Sequence, residues 1–232
     1  MLYTRVMAAR FSYIRNDWSK RDRRRLYTLV GALVLAFAIL SVIISLIPAG
    51  TFDIAFSEQF QRYDHPWFDK LMKFTSWFGY GWQTAVTVFG TAAIFFLLRQ
   101  RREGWYTILT ALCLVPVFAL KFAFGRERPA TVLFDLVTNT QYQSFPSGHV
   151  ALYVCFFGFI AFLMNRLKGY PRSLRVPVGV FCVGIILLVP FSRVYLGAHW
   201  FTDVLGGFIV GLLCLITLCL SYIRTLYGEA KV

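Results

Sequence analysis

Lys121-x6-Arg128-Pro129, Pro146-Ser147-Gly148-His149 and Ser192-Arg193-x5-His199-x3-Asp203 punctuate an otherwise apolar chain, each block falling at the edge of an apolar run. These residue types suit phosphoryl transfer. Lys121, Arg128 and Arg193 can hold phosphate oxygens, one histidine can attack phosphorus, the other can protonate the departing oxygen, and a carboxylate can orient the attacker. The planar fork of Arg193 matches two phosphate oxygens at once, which a lysine does not. Ser147, flanked by Pro146 and Gly148, stands where a helix would begin. Its hydroxyl and the amides of Gly148 and His149 can meet an anion there, alongside or in place of ordinary N-capping by Ser147.

The two histidines differ in their local partners. Asp203 follows His199 by four residues, so on a helix the carboxylate lies beneath the imidazole, accepts from one ring nitrogen and leaves the other as nucleophile. His149 is then left as the general acid toward the leaving oxygen and afterwards as the base that activates water. Lys121 and Arg128 share a face if their helix continues through Gly125. Arg126 and Glu127 read as solvated loop charges, with Arg126 able to reach a second phosphate if the substrate is a diphosphate. His65 sits in a polar loop away from every motif and carries no role. Cys113, Cys155, Cys182, Cys214 and Cys219 all fall in apolar runs without metal-ligand spacing and read as inert buried thiols. With several cations available for charge neutralisation, neither a metal nor any other cofactor is expected.

These groups must be positioned by a membrane-embedded scaffold. A chain of 232 residues that is 58% hydrophobic and 15% charged is too apolar for a soluble domain of its length. Apolar runs extend over Tyr27 to Ile47, Trp82 to Leu98, Trp105 to Leu120, His149 to Met164, Val176 to Phe191 and Val204 to Tyr222. The expected fold is therefore all-α, with six transmembrane helices; the shorter runs need flanking turns to reach the roughly 20 residues of a full span. The first run is too long for a signal-peptide core and is expected to be retained. The net charge of +13 does not point to nucleic acid, because its distribution follows the spans. Eight Lys or Arg precede Tyr27, three lie in the Arg99 to Glu103 turn, four in the Arg166 to Arg175 turn and two in the C-terminal tail. This asymmetry places both termini in the cytoplasm and all three motif blocks on the opposite side.

The organisation that follows is a basic cytoplasmic arm (1–26), one six-helix domain (27–223) and a short cytoplasmic tail (224–232). Thr51 to Asp64 is polar without a convincing period. Between Pro66 and Phe78, Trp67, Leu71, Phe74 and Phe78 recur at helical spacing, which predicts a short interfacial helix that either flanks lipid entry or packs as a lid. Tyr80-Gly81-Trp82 opens the second span with interfacial aromatics. The loop from Arg126 to Phe145 is the longest on the motif side and is where substrate choice is expected to reside.

The three ordered blocks, from Lys121 to Asp203, resemble the signature of the type 2 phosphatidic acid phosphatase family, which includes membrane lipid phosphatases and soluble vanadium haloperoxidases. Val150 departs from the small residue common after the histidine, and Phe201-Thr202 replaces a stretch where many relatives carry proline; neither touches a catalytic group. The resemblance implies a hydrolase acting through a phosphohistidine on His199, in line with the roles read above. It implies as substrate a lipid phosphate, such as phosphatidic acid, phosphatidylglycerol phosphate, undecaprenyl diphosphate or lipid A phosphate. Partners are then the substrate and the bilayer, with no nucleic acid and no obligate protein partner. A bacterial inner membrane with an outward site is the expected setting, a lumen-facing site in an organelle the alternative. A lipid phosphotransferase uses the same site with another acceptor. A non-enzymatic lipid transporter or binding protein has no need of His199 and Asp203 beside three cations.

Overall fold

The computed structural model of the chain describes residues 19–47, 50–63, 65–129 and 143–229. The first part of the basic arm, residues 130–142 of the loop expected to govern substrate choice, and the last residues of the tail lie outside these. Among the described residues every regular element is helical: α1 (Lys20–Leu46), α2 (Thr51–Gln61), α3 (Pro66–Trp77), α4 (Gly81–Leu97), α5 (Arg101–Leu109), a 3-10 turn (Thr110–Cys113), α6 (Leu114–Phe124), α7 (Gly148–Arg166), α8 (Arg172–Tyr195) and α9 (Phe201–Glu229). Five helical segments are long and apolar enough to cross a membrane: α1, the continuous α5–α6 stretch, α7, α8 and α9. A sixth crossing arises if α3 and α4, bent by 61° at their junction, are taken as one broken span.

Helix ends follow local chemistry. α1 begins at Lys20, ahead of the Tyr27 boundary that hydropathy suggests, because Ser19 and Asp22 form a reciprocal capping box. His65 caps a helix, a role its loop setting does not suggest. Its Nδ1 accepts from the Trp67 amide at the start of α3, with Pro66 in the first turn. α6 stops at Phe124, since Gly125 adopts a left-handed conformation at φ 59° and its amide closes on the Lys121 carbonyl. The helix therefore does not continue through Gly125, and Arg128 lies beyond it in chain without regular secondary structure.

α7 forms the hub. Its residues from Val150 to Met164 are almost all buried, packed against α8 and α9 with α5 and the 3-10 turn alongside. α1 is peripheral and holds on through Leu40 and Ile44, which meet Phe145. The outward apolar side chains of α1, α4 and α8, including Leu35, Leu97 and Val180, suit lipid as solvent. The stretch expected to be aperiodic is helix α2. Phe52, Phe56 and Phe60 line one of its faces and stack in sequence, while Asp53 and Ser57 are buried on another.

α7 and α9 approach through small residues. A Cβ on Gly207 would lie 2.4 Å from the Ser147 carbonyl oxygen, and one on Gly211 would lie 2.7 Å from that of Ala151. This small-xxx-small spacing brings the start of α7 against α9, and the Ser147 amide donates to the Asp203 carbonyl at 2.9 Å. Gly207→Ala is thus expected to destabilise the protein by about 1–3 kcal/mol through overpacking against backbone and to lower turnover by displacing Ser147. Thermal unfolding in detergent and a phosphate-release assay check both effects.

Candidate functional site

The motif residues converge at one end of the bundle. Lys121 stands in the last turn of α6 and donates to the carbonyls of Gln143 and Ser144, the latter at 3.2 Å, so it braces the segment leading into α7. Arg128 reaches back to the Ala198 carbonyl at 2.8 Å, beside His199. Arg193, 1% exposed in the last turn of α8, donates through Nη1 to Ser76 Oγ at 3.1 Å and Tyr80 Oη at 3.2 Å. Ser76 in turn bonds Ser192 at 2.7 Å, and Ser192 donates to the Met72 carbonyl at 2.6 Å. α3 is therefore a packing helix whose polar face fixes Arg193, while Trp67 and Phe74 point outward.

Among the described motif residues, Ser147 Oγ, His149 Nε2 and Arg193 Nε are buried without a hydrogen-bond partner. Ser147 precedes α7 with an extended backbone, yet its side chain makes no capping bond. Its hydroxyl is thus available to a ligand at the helix N-terminus, where exposed amides favour an anion. Buried polar atoms of this kind are costly unless a ligand satisfies them.

His149 is held from a direction the motifs do not reveal. The Tyr80 ring packs edge-on at 5.2 Å between centroids, and a Cβ on Gly79 would sit 2.3 Å from His149 Cδ2. Gly79 and Tyr80 lie at the break between α3 and α4, so Tyr80 does not act as a lipid-interface aromatic: it joins Arg193 to His149. Trp82, by contrast, is exposed as expected.

His199 is buried in the turn before α9, and Asp203 lies in the first turn of that helix. Their closest approach, Nδ1 to Oδ2, is 3.6 Å, longer than a direct hydrogen bond. Ser144 stands between them: its hydroxyl donates to Asp203 Oδ2 and lies 3.4 Å from His199 Nδ1. Asp203 also accepts from the Trp200 amide at 2.9 Å. Burial first, then the nearby Arg128, Lys121 and Arg193 cations, hold the His199 imidazole well below its ordinary pKa. Burial and Arg193 push the Arg128 guanidinium down to about 10, which leaves it charged at neutral pH.

Arg126 departs most from expectation. It is buried, with Nη1 2.6 Å from Asp203 Oδ1 and Nη2 2.7 Å from Asp53 Oδ2, so it is no solvated loop charge. Asp53 and Ser144 are further members of the site that lie outside the three blocks. Among the described residues no group of three or more His, Cys, Asp or Glu side chains is placed to hold a metal ion.

This arrangement can bind a tetrahedral anion between cations and a helix N-terminus, with a neutral imidazole ready to attack and a second imidazole able to move a proton. The sequence profile of the PAP2 superfamily matches residues 102–226, more than half of the chain. The chain belongs to the PAP2 superfamily. It is 31% identical over 185 residues to phosphatidylglycerophosphatase B of Bacillus subtilis, covering 78% of this chain and 89% of that protein. It is likewise 31% identical over 193 residues to an undecaprenyl-diphosphatase of Sulfolobus acidocaldarius, covering 77% and 84%. The crystal structure of a transmembrane PAP2-type phosphatidylglycerolphosphate phosphatase from Bacillus subtilis superposes with a TM-score of 0.73 at 28% identity, over 84% of this chain and 96% of that one. The chain is thus a multi-pass membrane PAP2 protein. All three motif blocks fall within the matched residues, whereas Asp53, Ser76, Gly79 and Tyr80 precede them.

At pH 6.5, where a free imidazole is half protonated, His199 is expected to give the chemical shifts of a neutral ring in histidine-labelled protein. Gly79→Ala, which forces the His149 ring and the buried Tyr153 ring aside, is expected to cost about a hundredfold in turnover and about 1–3 kcal/mol in stability; steady-state kinetics beside a melting curve test it.

Proposed function

We propose that this PAP2 protein is a lipid phosphatase whose preferred substrate is a phosphomonoester on a lipid headgroup, of the phosphatidylglycerophosphate kind. The observation that carries this reading is the charge balance around the unpartnered Ser147, His149 and Arg193 atoms. Lys121, Arg126, Arg128 and Arg193 gather against two carboxylates, Asp53 and Asp203. The excess of cations over carboxylates suits a phosphomonoester, whose charge at neutral pH is about −1.5 to −2. The likeness, in sequence and in structure, to phosphatidylglycerophosphate phosphatase of Bacillus subtilis points the same way.

In the proposed reaction Lys121, Arg128 and Arg193, with Ser147 and the amides of Gly148 and His149, bind the phosphate oxygens. His199 Nε2 attacks phosphorus as the bond to the lipid oxygen breaks, and protonated His149 gives its proton to that oxygen. Asp203 stabilises the positive charge that the imidazole acquires. Water, deprotonated by His149, then attacks phosphorus, breaks the P–N bond and releases inorganic phosphate. The preorganised cations do the electrostatic work in place of a metal. The weighting of lysine and arginine toward the other side of the spans supports a site outside the cytoplasm, and the likeness to the Bacillus subtilis proteins supports a bacterial membrane as its setting.

A lipid diphosphate is the second reading, favoured by the likeness to the undecaprenyl-diphosphatase. The pairing of Arg126 with Asp53 and Asp203 weighs against it, since that cation is turned away from a second phosphate. Purified protein in detergent with EDTA is expected to release phosphate from phosphatidylglycerophosphate or phosphatidic acid at least ~10-fold faster than from undecaprenyl diphosphate. His199→Ala should lose ~10³-fold or more. A diphosphate preference would overturn the substrate assignment; a requirement for divalent metal, or an active His199→Ala variant, would overturn the mechanism.

A further inference from the structure

Asp203 faces two cationic neighbourhoods. On one side is His199, surrounded by Lys121, Arg128, Arg193 and His149, with the Ser144 hydroxyl beside its Nδ1. On the other side Arg126 lies 2.6 Å from Oδ1. A guanidinium that close cancels most of the charge of a single carboxylate, and Asp203 alone would then offer little to an imidazole that turns positive. Asp53 changes the balance. It is 3% exposed on α2, lies 2.7 Å from the other arm of Arg126, and accepts from both the amide and the hydroxyl of Thr202, at 3.0 and 2.6 Å. The cluster Asp53–Arg126–Asp203 therefore carries one net negative charge at the start of α9, directly behind His199.

We infer that Asp53 is a positioning residue for the His199 step: its carboxylate compensates Arg126, so that Asp203 keeps a negative charge toward the imidazole as the phosphoryl group arrives. The residue that tunes the nucleophile thus comes from a helix about 150 positions away, outside the motif blocks. The inference rests on the phosphatase reaction proposed above.

Phosphate release across pH separates this role from simple packing. Asp53→Asn removes the charge at nearly constant volume and keeps one of the two oxygen acceptors, the other becoming an NH2 group. It should lower kcat roughly 10–100-fold, as loss of a supporting partner does, with KM within about twofold. The surroundings of His199 become more positive, its protonation becomes harder, and the acid limb of kcat/KM moves to lower pH. Thr202→Val removes the hydroxyl link yet keeps both carboxylates, so its kcat should stay within about threefold of wild type and its acid limb should not move. Arg126→Gln leaves two carboxylates unopposed and moves the limb the other way, to higher pH. An Asp53→Asn protein with wild-type kcat and profile, or a Thr202→Val protein that reproduces its shift, overturns the inference. So does an unmoved limb in Arg126→Gln, whether or not Asp53→Asn folds. Wild-type protein that releases no phosphate overturns the proposed reaction and this inference with it, whereas active wild type beside unchanged variants overturns this one alone.

Discussion

Charge buried at the edge of a bilayer must be compensated, and the arrangement of this protein follows from that. A lone cation or carboxylate held out of water costs several kcal/mol unless it is paired. Arg126 meets the requirement permanently through Asp53 and Asp203. Arg193 meets it only in part: one arm lies against the hydroxyls of Ser76 and Tyr80 and the Tyr80 ring, while its Nε has no partner. Lys121 rests on two carbonyls, which are neutral. The internal ion pairs thus neutralise one part of the cluster and leave the charge of Lys121 and Arg193 without a carboxylate partner among the described residues.

The scaffold makes that distribution possible by turning polar faces inward. On α3, Thr75 and Ser76 are buried while Trp67 and Phe74 are exposed. On α2, Asp53 and Ser57 are buried while Phe52 faces outward. In water these orientations would be unfavourable, because the outward aromatics gain nothing from exposure. Against lipid they cost little, and interhelical polar contacts do part of the work of holding helices together. Close approach does the rest: glycines at 207 and 211 let α9 meet α7 backbone to backbone.

The same inversion explains what could and could not be read from the sequence. The motif side chains and the long spans were legible because their signals are local: a run of apolar residues, a histidine four positions from an aspartate. Helix α2 was not, because Asp53 and Ser57 are buried beside Phe56 and Phe60, and that mixture blurs the apolar face although its phenylalanines recur every four residues. Arg126 looked like a loop charge for a related reason. Its partners lie 73 and 77 positions away, and nothing near it in the chain signals burial. Gly125 also misled: the shared face of Lys121 and Arg128 required a continuous helix, while the left-handed glycine ends it. Gly79 and Tyr80 have one available clue, a glycine followed by a tyrosine at the start of a span, and that pattern is equally typical of a lipid-interface belt.

Two parts of the chain consequently divide the work. The region matched by the PAP2 profile, residues 102–226, carries every group that the sequence nominates for contact with phosphate. The helices before it carry none of these groups, yet they determine how several of them stand. The chain of hydrogen bonds from Arg193 through Ser76 and Ser192 to the Met72 backbone ties one of these cations to α3. Tyr80 and Gly79, at the end of that helix, set the ring of His149. Trp67 and Phe74 stand exposed on the other face of α3. Arg193 and the His149 ring therefore both take their positions from the stretch formed by α3 and the break that follows it, ahead of the residues that the profile matches.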